Sequence, residues 1–233
     1  MGDADFVRGL SCGIVKHLPR QFILRAYEER DREAVRQICC ETADAGDPMN
    51  DWFPDREIFA DLLMRYYTDW EPLSSLVAVA EGRVVGYLMG CRNTRRFRWA
   101  MALWIVPLTL LKALARGTLW HPKVRALLWA NRHVSLWRGR VSLDGYPAHL
   151  HINLRRNYRS LHIGQHLFDQ WLFEAKRGGI RGIHVGVNAG NAGGCRFFEA
   201  LGFCALGRQI CLRLPGNEQP IETVIYGLQL GDN

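Results

Sequence analysis

Ala148-His149-Leu150-His151-Ile152-Asn153-Leu154 alternates in character, and the run Arg155-Arg156-Asn157-Tyr158-Arg159-Ser160-Leu161-His162-Ile163-Gly164 follows it directly. The first segment reads as a strand. The second is a basic turn that opens an amphipathic helix. A strand running straight into a helix leaves several backbone N–H groups unpaired at the helix start, and the helix dipole adds partial positive charge there. Such a turn suits a phosphate-bearing ligand. Arg155, Arg156 and Arg159 add cationic attraction, and Gly164 is expected to let the backbone approach that ligand closely. A second short strand follows at Gly182 to Val187. Asn191 then opens a segment ending Phe197-Phe198-Glu199-Ala200-Leu201-Gly202-Phe203.

Outward from this centre the chain alternates strands and helices. Phe22 to Ala26 reads as a first strand, and Asp31 as the N-cap of a helix carrying Ala34, Val35, Ile38 and Cys39 on one face. Asp55 precedes a second helix, with Ile58, Leu62, Leu63 and Tyr66 expected on its apolar face. Leu76 to Ala80 and Val84 to Met89 read as strands joined by a hairpin turn at Glu81-Gly82-Arg83. Phe203 to Leu214 and Ile221 to Leu230 read as a closing hairpin around Pro215-Gly216-Asn217.

These stretches resemble the Gcn5-related N-acetyltransferases. That family's pyrophosphate loop, Arg/Gln-x-x-Gly-x-Gly/Ala, corresponds to Arg159 through Gly164, with His162 where the first glycine is usual. Its second signature corresponds to Asn191, Phe198, Gly202 and Phe203. More narrowly, Pro147 to Asn153 and Ile38 to Gly46 resemble a bacterial branch related to the acetyltransferase-like domain of O-GlcNAc hydrolases.

The resemblance implies an α/β fold: a mixed, mostly antiparallel sheet flanked by helices, split in a V between the fourth and fifth strands, with a helical insertion between strands 3 and 4. It implies acetyl-CoA as cosubstrate and an amine as acceptor. It also implies pyrophosphate contacts at Arg159, Ser160, Leu161, His162, Ile163 and Gly164, strand-edge contacts at Ile152 and Leu154, and contacts to the cofactor arm at Asn191 and Phe198. Asn191 reads equally as a plain helix N-cap. Acyl transfer to an amine needs a route for a proton off the nitrogen and a donor for the leaving thiolate. Many family members place a Tyr where Phe198 stands; that donor is missing here unless Tyr226 or water replaces it. Close relatives carry Asp where Asn153 stands. His149 and His151, on one strand face by alternation, are therefore the candidate bases, with His184 on the neighbouring strand. The departures at Asn153, His162 and Phe198 leave open a catalytically impaired acyl-CoA-binding or regulatory domain.

The 233 residues include 48% hydrophobic and 23% charged residues, which suits one globular domain at 21–233 after an extension at 1–20. Met1 to Asp5 lacks the basic start of a signal peptide, so a cytoplasmic location is the expectation. The Gly9-Leu10-Ser11-Cys12-Gly13 match to a hydrolase nucleophile turn lacks a preceding strand. Seven cysteines without a Cys-x-x-Cys pair read as buried free thiols, and no metal site is expected.

The net charge of +7 is uneven. Gly82 to Leu143 holds twelve Lys and Arg and no Asp or Glu, which leaves −5 for the rest. Residues 92–145 read as a basic, apolar insertion of two or three amphipathic helices. It could pack on the domain, form a homodimer interface or contact an anionic membrane surface. No nucleic-acid module is visible, and no run reaches the length of a bilayer span. A monomer or homodimer is expected, and an apolar insertion near the acceptor side would favour a hydrophobic or amphipathic amine.

Overall fold

The computed structural model describes residues 21–49, 52–132, 141–216 and 219–231. Seven strands form one sheet in the order β1-β2-β3-β4-β5-β7-β6. They are β1 (Phe22–Ala26), β2 (Ser75–Ala80), β3 (Arg83–Cys91), β4 (Ala148–Leu154), β5 (Gly182–Asn188), β6 (Cys204–Leu212) and β7 (Ile221–Gln229). All neighbours are antiparallel except β4 and β5. The β6–β7 hairpin does not simply extend the sheet, because β7 lies between β5 and β6. The β2–β3 turn is tight, with Glu81 and Gly82 at φ 52° and 72°, as a two-residue hairpin requires.

Among the described residues seven α-helices surround the sheet: α1 (Arg32–Glu41), α2 (Arg56–Arg65), α3 (Thr94–Ala100), α4 (Val106–Ala115), α5 (Pro122–Asn131), α6 (Ile163–Arg177) and α7 (Ala192–Ala200). Alternation splits the core in two. One face of the sheet presents Leu88, Leu150 and Ile183 to Phe168 and Trp171 of α6 and Phe198 of α7. The other presents Val77, Tyr87 and Met89 to α1, α2 and the start of the 94–115 helix. Gly90 lets α6 close on the sheet. A Cβ there would overlap Trp171 Nε1, which donates to Ser74 O at 3.0 Å.

Four local expectations change. Asp31 precedes α1, but its carboxylate accepts from Glu28 N and pairs with Arg25 at 2.6 Å instead of capping that helix. In α2, Asp55 does cap, accepting from Glu57 N and Ile58 N. Leu63, however, is 39% exposed, and the buried stripe is Ile58, Asp61 and Met64. Asp61 can be buried because Arg36 and Lys112 hold it at 2.5 and 2.8 Å. Among the described residues only Cys39, Cys40 and Cys91 are buried thiols. Cys204 and Cys211 are exposed on β6, where no further strand covers them. Cys12 and the Gly9–Gly13 stretch lie outside the described residues.

The fourth change concerns the basic region. α3 and α4 are joined through a π-helical turn, Met101–Ile105, into one helix from Thr94 to Ala115. Its 22 residues, with a window of mean hydropathy 1.4, are long and apolar enough to cross a membrane by length and composition. Pro107 does not break it. The π turn sends Val106 N–H to Met101 O, and the proline, which has no N–H, follows within the next turn.

Candidate active site

β4 and β5 part almost at once. Their parallel pairing covers only Ala148↔Ile183 and His149↔His184. On its other edge β4 stays paired with β3 as far as Leu154↔Gly86, and β5 stays paired with β7 over its whole length. Each strand is thus held by one neighbour, while from Leu150 onward the facing edge of β4 has, among the described residues, no strand beside it. Backbone N–H and C=O groups on such an edge seek partners, and an extended ligand can supply them. Ile152 and Leu154 sit on this stretch, half-buried.

The chain leaves β4 through a 3-10 turn, Arg156–Tyr158, and reaches α6 with Ser160 and His162 in the left-handed region at φ 62° and 57°. His162 occupies the N-cap position, and no side chain caps the helix. The first-turn amides of α6 therefore face outward without a capping group. The left-handed backbone explains why glycine would be at home at position 162; histidine takes it at some cost in strain. Gly164 has a different role from the one its spacing suggests. It is buried, and a Cβ there would sit 3.3 Å from the Phe197 ring and 3.6 Å from Leu154. It allows α6 to pack on α7.

The three arginines brace the turn. Arg159 donates to Gly46 O and, at 3.2 Å, to Leu154 O. Arg155 lies 3.6 Å from Glu41, and Arg156 lies 3.8 Å from Asp47. These contacts join the β4–α6 turn to the turn after α1, where Ala45 and Gly46 also have positive φ.

His149, His151 and Asn153 project from the α1–α2 face of β4. His149 is buried and held at both nitrogens: Tyr67 OH is 2.8 Å from Nε2, and Thr94 Oγ1 is 2.8 Å from Nδ1. Phe97 packs on its ring at 4.7 Å, and the His184 ring lies 5.4 Å away. His184 Nδ1 is 2.9 Å from Tyr146 O. His151 stands between the Tyr67 and His149 rings at 5.5 and 6.3 Å, and among the described residues it has no hydrogen-bond partner. Burial pushes all three histidines toward the neutral form; neighbouring imidazoles add to it at His149 and His151, the latter lowered to about 4, and the Arg98 guanidinium adds to it at His184. Among the described residues no group of three or more His, Cys, Asp or Glu is arranged to hold a metal.

Asn153 Nδ2 donates to Tyr87 OH at 2.7 Å. Asn191 Oδ1 accepts from Gly194 N at 2.8 Å, so its side chain caps α7. Phe198 is buried between Phe197 and Phe203. Tyr226 is buried on the α6–α7 face, and its hydroxyl donates to Glu199 at 2.8 Å. Burial and that carboxylate raise its pKa. The structure thus brings together His149, His151 and His184, and sets Tyr226 on the opposite face of the sheet. Sequence reading missed Tyr67 and Thr94. Tyr67 is 82 positions from the histidine it binds, and no local pattern links the two.

No protein-family model matches the chain, and no curated protein is significantly similar. Solved structures are. The crystal structure of SsHAT superposes with a TM-score of 0.69 at 26% identity, covering 91% of this chain and 99% of that one. YncA from Salmonella typhimurium, assigned as an acetyltransferase and solved with its cofactor acetyl-CoA, has a TM-score of 0.55 at 14% identity, covering 91% and 96%. A Gcn5-related N-acetyltransferase from Kribbella flavida has a TM-score of 0.55 at 16% identity, covering 90% and 98%. The chain has the Gcn5-related N-acetyltransferase fold.

Proposed function

We propose that this protein transfers an acetyl group from acetyl-CoA to an amine. The observation that carries the reading is the open V between β4 and β5, which runs from the histidine cluster to the uncapped start of α6. One opening thus offers an unpaired strand edge, a set of outward amides and a neutral imidazole. The residues fit the cosubstrate. Ser160 to Gly164 offer amides to a pyrophosphate, and the edge at Ile152 and Leu154 offers pairing to an amide-bearing arm. The arm contacts assigned to Asn191 and Phe198 are backbone and packing contacts in this reading, since the Asn191 carbonyl is engaged by the helix.

Acetyl-CoA supplies the activated acyl group. The chain supplies the rest. A backbone N–H of the β4 edge stabilises charge developing on the thioester oxygen. His151 has no hydrogen-bond partner among the described residues, so its ring can relay to water the proton released as nitrogen bonds to carbonyl carbon. Being neutral at pH 7, it does not repel an incoming ammonium group. His149 positions it through packing and is held by Tyr67 and Thr94. The thiolate takes a proton from water, because Tyr226 OH is directed to Glu199 on the other face.

Two specific observations favour a second reading, an acyl-CoA-binding domain without turnover. Phe198 has no proton to give, and Asn153 is no carboxylate. The narrower kinship with the O-GlcNAc hydrolase branch rests on the residues of Pro147 to Asn153 and Ile38 to Gly46. Thiol release from acetyl-CoA, followed over a panel of amines, separates the readings. Amine-dependent release that drops at least about 100-fold in His151→Phe supports transfer. Tight acetyl-CoA binding with no release for any amine supports the second reading.

A further inference from the structure

The 94–115 helix has two unlike sides. Its inner side buries Ala100, Ile105, Thr109 and Ala113. The spacing of five, then four and four, follows from the π turn, which lets one stripe stay on the domain. Ionic contacts moor this side: Lys112 to Asp61 at 2.8 Å, and Arg116 to Asp55 at 2.9 Å. Thr118 adds a hydrogen bond to Asp55. The outer side is apolar. Trp99, Leu103, Trp104, Leu110, Leu111 and Leu114 are each 48–63% exposed, and only 22% of the apolar window is buried. Trp120, in the turn before α5, and Leu128 and Trp129 on α5 are exposed as well. The exposed apolar area is on the order of 1,000 Å², against the few hundred that a soluble monomer commonly shows.

We propose that this face lies flat on an anionic lipid bilayer. Charge identifies the occupant. Arg95, Arg96 and Arg98 at one end, and Lys123 and Arg125 at the other, are exposed, and the sequence holds no carboxylate between Gly82 and Leu143. Two copies of the face meeting about a two-fold axis would set cations against cations with no carboxylate from this region to offset them. A surface that is apolar and anionic at once answers both halves of the pattern, and tryptophans suit its boundary. The helix, about 33 Å long at 1.5 Å per residue, lies in the plane of that surface and does not span it. Its inner side is bound by ion pairs to α2, and inserting it would carry those charges into hydrocarbon.

The test is co-sedimentation of the full chain with phosphatidylcholine vesicles, with and without phosphatidylglycerol, at about 50 mM and about 500 mM salt. Two variants accompany it, Leu103→Glu with Leu110→Glu and Arg95→Glu with Arg96→Glu. Circular dichroism verifies their folding, and light scattering follows oligomeric state. Wild type should bind the anionic vesicles at low salt. Binding should fall at least about 10-fold in either variant, at high salt and on neutral vesicles. Failure of wild type to sediment with anionic vesicles overturns the proposal. So does equal binding by folded variants, or equal binding to neutral vesicles. A dimer that Leu103→Glu with Leu110→Glu dissociates, with no vesicle binding, would assign the face to a second copy instead.

Discussion

Lowering the pH from 8 to 5 should destabilise the protein through His151. An unfolded histidine titrates near 6.5, whereas burial lowers the folded value of His151 to about 4. Above 6.5 the ring is neutral in both states and costs nothing. Between 6.5 and 4 the unfolded chain binds a proton that the folded chain refuses, so stability falls as pH falls. At pH 5 nearly all unfolded molecules and about a tenth of folded ones carry that proton, which corresponds to a loss of about 2 kcal/mol. The full shift is worth about 3 kcal/mol below pH 4. His149 and His184 are pushed the same way, so the wild-type profile should be steeper still. Urea unfolding of wild type and His151→Asn at pH 8, 7, 6 and 5 isolates the His151 part as the difference between the two profiles. Parallel profiles would rule out a folded His151 held neutral by burial, as would an NMR titration midpoint for it near 6.5.

Asp61→Ala removes the shared carboxylate of Arg36 and Lys112 and leaves Arg36 buried without it, so urea unfolding should show a loss of about 3–5 kcal/mol. Burial by itself would raise the Asp61 pKa, but Lys112 and Arg36 hold it below the usual carboxylate range. Its contribution is therefore present above about pH 4 and is lost as pH falls further. Gly90→Ala should cost about 1–3 kcal/mol and weaken the Trp171–Ser74 hydrogen bond, visible as a shift in tryptophan emission. His162→Gly should raise stability by up to about 1 kcal/mol by relieving a left-handed residue. Acetyl-CoA affinity should stay within about 2-fold, since the contacts offered there are backbone amides.

The fold was largely legible because its signals are local. Alternation in Ala148 to Leu154 marks β4, and the Glu81-Gly82 turn marks the β2–β3 hairpin. The abrupt strand-to-helix passage at Arg155 to Gly164 marks the place where β4 ends and α6 begins. The site was legible only in part. Alternation puts His149 and His151 on one face, but which of them is free to act depends on Tyr67 and Thr94, which are brought in by other elements. Tyr226 carries the right functional group, yet strand parity decides its side of the sheet, and its register against β5 comes from the placement of β7 between β5 and β6. Gly164 shows the same limit. Its position in the turn suggests ligand approach, while the Phe197 ring across from it explains the missing Cβ. In the 94–115 helix, Pro107 and the arginines look like interruptions until the π turn aligns the buried stripe.

The start of α6 and the β4 edge are the proposed seat of acetyl-CoA. Calorimetric titration of acetyl-CoA into wild type and Gln165→Glu tests it most directly. Gln165 is exposed in the first turn of α6, so a carboxylate there favours the helix dipole while repelling a pyrophosphate. Wild type should bind saturably, and the variant at least about 10-fold more weakly with thermal stability maintained. Equal affinity in the two proteins, or no binding by wild type, would contradict that assignment.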